Sequence, residues 1–354
     1  MKQTTILLAG PAETGALGVH QLKRLWSRVM RQRQGQPANA GAEAQLEHVV
    51  LDALGVGLEQ TMQHLFQAGL SFADFEQWII EITGGVSATQ VARINAMVTG
   101  SECPPEIARW LAEVDADAPV LSAADLAFWD EQGYVIVPDA VPESSRAAAT
   151  QAILDHVGAK ADDPESSYKP NDHGIMVQFF QHPAFTANRQ SRRIHKAFAQ
   201  LWRTADLWVS TDRAGFNVPE RPGWMFRGPD LHWDVSLARP IPFGTQGILY
   251  LTDTGPEQGA FTLVPGFHRR LDAWLDSPRA CLMERIRVSR ICMPSDQSLS
   301  PGGRSHHLAS RVATWQSSES RHTTTHRAIH QPAVCAHGSA RDVDLITLPN
   351  SARA

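Results

Sequence analysis

The sequence predicts an α+β protein, with a helical first third followed by a sandwich or jelly roll of short strands. From about Gly15 to Ala116, apolar residues recur at spacings of three and four, as in Leu22, Leu25, Trp26 and Val29 and again in Leu51, Leu54, Leu58, Met62 and Leu65. That is the period of helices with one buried face. From Tyr134 onward, short apolar runs alternate with Pro and Gly turns, a pattern that suits a sandwich or jelly roll better than a parallel sheet. A chain of 354 residues with 43% apolar content can bury a substantial core.

In chain order, Ser71 before Phe72-Ala73-Asp74 reads as a helix start, and Ser87 with Gln90 three residues on reads as a capping box. Pro104-Pro105 opens a helix carrying Ile107, Trp110 and Leu111. This helical region, residues 1–120, shows no charged motif and reads as a structural or dimerising layer, with Ala116 to Leu121 as the hinge. Ser122 then caps a helix that stops near Gly133, and Tyr134-Val135-Ile136-Val137 reads as a strand. Pro142 to Val157 and Ile194 to Leu201, the latter carrying His195, read as helices. Strands are expected at Leu207–Ser210, Leu231–Asp234, Gly247–Leu251 and Ala260–Val264. Residues 121–290 form the expected β-rich core, and residues 291–354 read as an aberrant low-complexity tail, disordered or misfolded.

The net charge of −5, with both signs interspersed, leaves no basic stripe of the kind nucleic acid or an anionic membrane attracts. The expected partner is a small molecule. Cys103, Cys281, Cys292 and Cys335 show no CxxC spacing, which speaks against a zinc cluster or a disulfide framework. The apolar run Ile6-Leu7-Leu8-Ala9 is too short to span a bilayer and lacks the basic start of an export signal. A soluble cytoplasmic protein is expected, with association into a homo-oligomer through the N-terminal helices as a further expectation.

His232-Trp233-Asp234 carries the chemistry. On a strand, residues two apart share a face, so this imidazole and carboxylate can point at one metal ion. Two His and one acid holding one face of Fe(II), with the other face open, is the donor set of non-haem iron oxygenases. Three segments in order, FWDEQGYVIVPDAV, LHWD and EQGAFTLVPGFHRR, resemble the phytanoyl-CoA dioxygenase family over roughly Ser122 to Trp274.

This resemblance implies a double-stranded β-helix using Fe(II), 2-oxoglutarate and O2. It implies that His232 and Asp234 are two of the three metal ligands, and that His268 is structural. Asn217, just before the metal strand, is placed to reach 2-oxoglutarate as similar residues do in some relatives, although turn chemistry would equally explain it. Asp234 favours oxygen insertion over halogenation, since halogenating relatives carry Ala or Gly there. Trp224, Met225 and Phe226 read as core rather than as pocket lining.

The family pattern also needs a distal His and, about eleven residues later, an Arg that pairs with the far carboxylate of 2-oxoglutarate. Neither is found here. The stretch Arg290 to His337 is rich in Ser, His, Arg and Thr, and five of the chain's 15 histidines fall between His306 and His330. Three explanations stand open: a tail that binds metal loosely or tethers, a divergent site using His306 or His307 as third ligand, and a shifted reading frame. Read from the second base of each codon, starting inside Arg304, the permitted codons can spell an apolar strand, a His-Gly pair and an Arg eleven residues after that His. Within that reading the Trp315 codon must give Gly, and the His306 and His307 codons give only Ile or Thr.

The expectation is therefore an iron- and 2-oxoglutarate-dependent dioxygenase hydroxylating a small organic molecule, impaired in this chain. The alternatives are a non-enzymatic helical interaction module attached to a dead β-domain, and a cupin-like metal hydrolase or isomerase.

Overall fold

A computed structural model describes residues 6–37, 41–160, 162–169, 175–218, 221–224, 237, 239, 241, 243–254, 260–261, 263–277, 307–310, 315–317 and 333–337. The architecture is mixed, with many helices and few strands. Among the described residues, the strands do not close into a barrel.

Six helices occupy the first third: α1 (Leu22–Arg33), α2 (Ala44–Ala53), α3 (Leu58–Ala68), α4 (Phe72–Thr83), α5 (Ala88–Thr99) and α6 (Pro105–Ala116). Their boundaries follow local chemistry. The Ser71 hydroxyl accepts from Asp74 N at the start of α4, and Gly84 ends that helix in the left-handed region. Ser87 likewise accepts from Gln90 N. The expected reciprocal half of that capping box is not made, because the Gln90 amide donates instead to the Ala53 carbonyl. No described helix is long and apolar enough to cross a membrane.

The chain then gives α7 (Ala123–Gln132), β1 (Tyr134–Pro138), α8 (Glu143–Val157), β2 (Met176–Val177), α9 (Pro183–Arg189), α10 (Arg192–Trp202), β3 (Leu207–Val209), β4 (Ala214–Asn217), β5 (Gln246–Tyr250) and α11 (Leu271–Leu275). Three strands complete it: β6 (His307–Ser310), β7 (Trp315–Ser317) and β8 (Ala333–His337). One sheet has the order β1-β8-β5-β6-β4-β2, and β3 pairs with β7 in a second. β8 runs parallel to both β1 and β5, whereas β6 is antiparallel to β4 and β5.

In residues 291–354, read as an aberrant tail, the described residues lie in strands, with β8 between β1 and β5. One expectation is corrected here. The expected strand Ala260–Val264 is not one at any of its described residues. The Phe261 N–H donates to the Tyr250 hydroxyl at 2.8 Å instead of to a neighbouring strand, and Ala260, Leu263 and Tyr250 form a small apolar cluster.

By spatial proximity, the chain divides into two units that interleave along the sequence. The first comprises Met1–Ala118, Gln178–Arg213 and Ala313–Thr323, and the second Pro119–Val177, Ala214–Val312 and Thr324–Ala354. The core of the first unit includes Leu22, Leu25, Val50, Leu51, Leu65, Phe75, Ile79 and Ile94, and Trp208 of β3 packs into it. Its buried polar contacts also bridge distant sequence. Asp52 Oδ1 accepts from Thr211 N at 2.9 Å, and Arg93 donates to Asp206 Oδ1 at 2.8 Å and to Leu207 O at 3.0 Å. In the second unit the core includes Val135 and Val137 of β1, Ile153 of α8 and Leu249 of β5.

Candidate functional site

His232 and Asp234, with the rest of the expected metal strand, lie outside the described residues. The site is therefore built from what surrounds that segment within the second unit.

Upstream, the chain makes a four-residue turn, Arg221-Pro222-Gly223-Trp224. Arg221 N donates to Trp224 O at 3.0 Å, and Trp224 N donates to Arg221 O at 2.8 Å. Gly223 takes φ 83°, a conformation that suits glycine in a Pro-Gly turn. The turn carries two side chains to Tyr168. The Arg221 guanidinium lies 3.5 Å from the centre of the Tyr168 ring, and Trp224 meets the same ring edge-on at 5.6 Å. Arg221 also pairs with Glu165 at 2.5 Å, a hydrogen bond that holds the Glu165 carboxyl below its ordinary range and raises the guanidinium. Trp224 packs against a ring but is half-buried and not among the buried core residues; Met225 and Phe226 lie outside the described residues.

Asn217 ends β4, half-buried, and its partner across the sheet is His307 at the start of β6. The strand end nearest the expected metal segment therefore faces a tail strand that begins with a histidine.

Downstream, the PGFHRR segment folds back on the end of α7. Gly266 N donates to Gln132 O at 2.8 Å, and His268 Nε2 lies 2.9 Å from Asp130 O. A carbonyl only accepts, so Nε2 carries the proton. That nitrogen is committed to the main chain and cannot ligate a metal. Burial lowers the His268 pKa, with the Asp130 bond pulling the other way, so the ring is neutral. Its Nδ1 is buried without a partner among the described residues.

Among the described residues, no group of three His, Cys, Asp or Glu side chains is arranged to hold a metal. An imidazole and a carboxylate two residues apart remain a donor pair suited to Fe(II).

Sequence reading missed a second polar cluster, in the first unit. Asp52 is buried, and burial pushes its carboxyl well above the ordinary range; His48 Nε2 lies 3.4 Å from it. Arg189, which donates to the carbonyls of Phe180 and Asp212, is pulled down to about 10 by burial, with Asp212 and Asp52 opposing. A helical pattern gives no signal for such a cluster, because its partners lie far along the chain. It is a main-chain latch, with its donors and acceptors spent on holding Thr211, Phe180 and Asp212.

No family model, curated protein or solved structure matches this chain.

Proposed function

We propose that residues 122–274 derive from a double-stranded β-helix oxygenase of the phytanoyl-CoA dioxygenase type, using Fe(II), 2-oxoglutarate and O2 to hydroxylate a small organic molecule. One observation carries the proposal. Two of the three segments behind the family resemblance, α7 with β1 and the PGFHRR turn, lie against each other through Gly266 N to Gln132 O at 2.8 Å and His268 to Asp130 O at 2.9 Å. Their meeting across 138 positions supports reading the two segments as parts of one core.

Fe(II) held by His232 and Asp234 would bind 2-oxoglutarate and O2, and it would supply the oxidising power for C–H hydroxylation. His268, which the resemblance makes structural rather than a ligand, braces the turn through its Nε2 bond to Asp130 O. Asn217, at the end of β4, would orient the co-substrate through its amide. The distal His and the Arg for the far carboxylate are missing, so this chain binds metal weakly and turns over slowly or not at all. A frame shift between about Val288 and Arg304 accounts for both losses together.

The test is Fe(II) binding and succinate formation, measured on this chain and on one whose frame is restored through the tail. Restored turnover beside an inert translated chain is the expected result. A restored chain that neither binds Fe(II) nor consumes 2-oxoglutarate with any candidate substrate would remove the enzyme proposal, and activity that persists without O2 would favour a cupin-like hydrolase or isomerase.

A second reading, a non-enzymatic helical interaction module, is favoured by the first unit's core, built on α1 to α5 with Trp208 added. Succinate formation by the restored chain decides against it.

A further inference from the structure

The helical unit contains a cavity of about 640 Å³, within the range of small-molecule sites. It lies beside α1, the end of α3 and the start of α4. Ile6, Trp26, Met30 and Leu70 supply its apolar wall, and Arg33 is the one charged residue lining it.

Its polar groups are committed apart from part of Arg33; Gln34, which also lines it, accepts through Oε1 from Gln36 Nε2 at 3.2 Å. The Trp26 indole N–H donates to Leu70 O at 2.9 Å, leaving the ring to offer only apolar surface. The Ser71 hydroxyl is taken up with Asp74, donating to its carboxylate at 2.6 Å and accepting from its N–H at 3.2 Å. Arg33, at the exposed rim, donates through Nε to Phe66 O at 2.9 Å, a bond that caps α3 and anchors one side of the guanidinium. Among the described residues, its two terminal amino groups have no partner. Gly69 preserves this geometry, since a Cβ at that position would collide with the guanidinium.

We propose that this cavity binds an aromatic carboxylate. A carboxylate complements the two remaining donors of a guanidinium fork already anchored at Nε. A ring system is the apolar body that an indole and a polarisable thioether favour over a flexible chain. The site is independent of the metal reading, because every residue named here lies in the first unit.

Calorimetric titration of the full chain with 2-naphthoate, and with its neutral analogue 2-naphthamide, tests the proposal. The carboxylate should bind with one site per chain, at least about tenfold tighter than the amide. Arg33→Gln should erase that preference while leaving amide binding unchanged. Ile6→Trp, which intrudes on the apolar wall and leaves the α3 cap alone, should weaken binding of both by about tenfold or more. Circular dichroism reports whether each variant is folded, and if Arg33→Gln unfolds, Ile6→Trp decides alone. The proposal is overturned by absence of saturable binding, by equal affinity for the two probes, by a preference that survives in folded Arg33→Gln, or by affinities that folded Ile6→Trp leaves unchanged.

Discussion

His268 and Asp130 are 138 positions apart in sequence, and their side-chain nitrogen and main-chain oxygen meet at 2.9 Å. The bond ties the segment after the sheet to the last turn of α7. His268→Ala should therefore destabilise the fold by about 1–3 kcal/mol, from the lost bond and the lost packing of a buried imidazole. Urea denaturation measures that loss. In the frame-restored chain, Fe(II) affinity should stay within about threefold of the parent if, as the resemblance implies, the imidazole is structural and not a ligand. A collapse of metal binding with stability unchanged would make His268 a ligand.

Gly266, two residues earlier, has φ 65°, and a Cβ added there would lie 3.4 Å from Glu131 O. Gly266→Ala should lose about 1–2 kcal/mol, from left-handed strain together with the crowded carbonyl. Thermal melts would show it, and an unchanged midpoint would mean the turn relaxes freely.

His195 makes the acid limb of stability predictable. Burial pulls its pKa down to about 4 from 6.5, with the bond to Ala205 O opposing. A depressed imidazole contributes stability that is present above about pH 6.5 and is lost as pH falls towards 4, because the unfolded chain takes up the proton first. Between pH 7.5 and pH 5 the loss should be about 2 kcal/mol. His195→Gln, retaining a donor for Ala205 O, should flatten the pH dependence by about that amount. A variant whose melts track the parent at every pH would refute the assignment.

Asp52 acts with the opposite sign. Its raised pKa means that its stabilisation is complete below about pH 3.8 and fades as pH rises through the folded value. Asp52→Asn, which keeps an acceptor for Thr211 N, should match or exceed the parent near pH 8 and lose that advantage below pH 4. Asp52→Ala should cost about 1–3 kcal/mol at either pH, because the Thr211 N–H is left unpaired. Chemical denaturation at the two pH values separates these outcomes.

In a frame-restored chain, His232→Ala should weaken Fe(II) binding by about 100-fold or more, beyond the 10- to 100-fold typical of losing an outer-shell partner. The same substitution in the chain as translated should change little, since most coordination positions there already fall to water. Metal titration with an optical competitor distinguishes the two. Equal effects in both chains would place a third ligand in the existing tail, with His307 the first to examine because its strand begins opposite Asn217.

Local chemistry was legible in the sequence. Ser71, Ser122 and Gly133 mark helix ends where the structure has them, and the run from Tyr134 became β1. Features set by distant partners were not. Phe261 left the strand pattern because the Tyr250 hydroxyl claims its N–H, and Gln90 abandoned its cap for the Ala53 carbonyl. Nothing in the local pattern around Trp208 shows that it packs among residues from α1 to α5. At the site, neither the bond of His268 to the Asp130 carbonyl nor the stack of Arg221 on Tyr168 had a local signal, because both partners lie far along the chain.

The interleaving of the two units has a consequence for biosynthesis. A nascent polypeptide that has emerged as far as Ala118 carries Asp52 and Arg93 without Thr211, Asp206 or Leu207, the groups that satisfy them. The helical unit thus cannot complete these contacts before Gln178–Arg213 leaves the ribosome. Until then, part of its apolar surface and a carboxyl destined for burial remain open to chaperones and proteases.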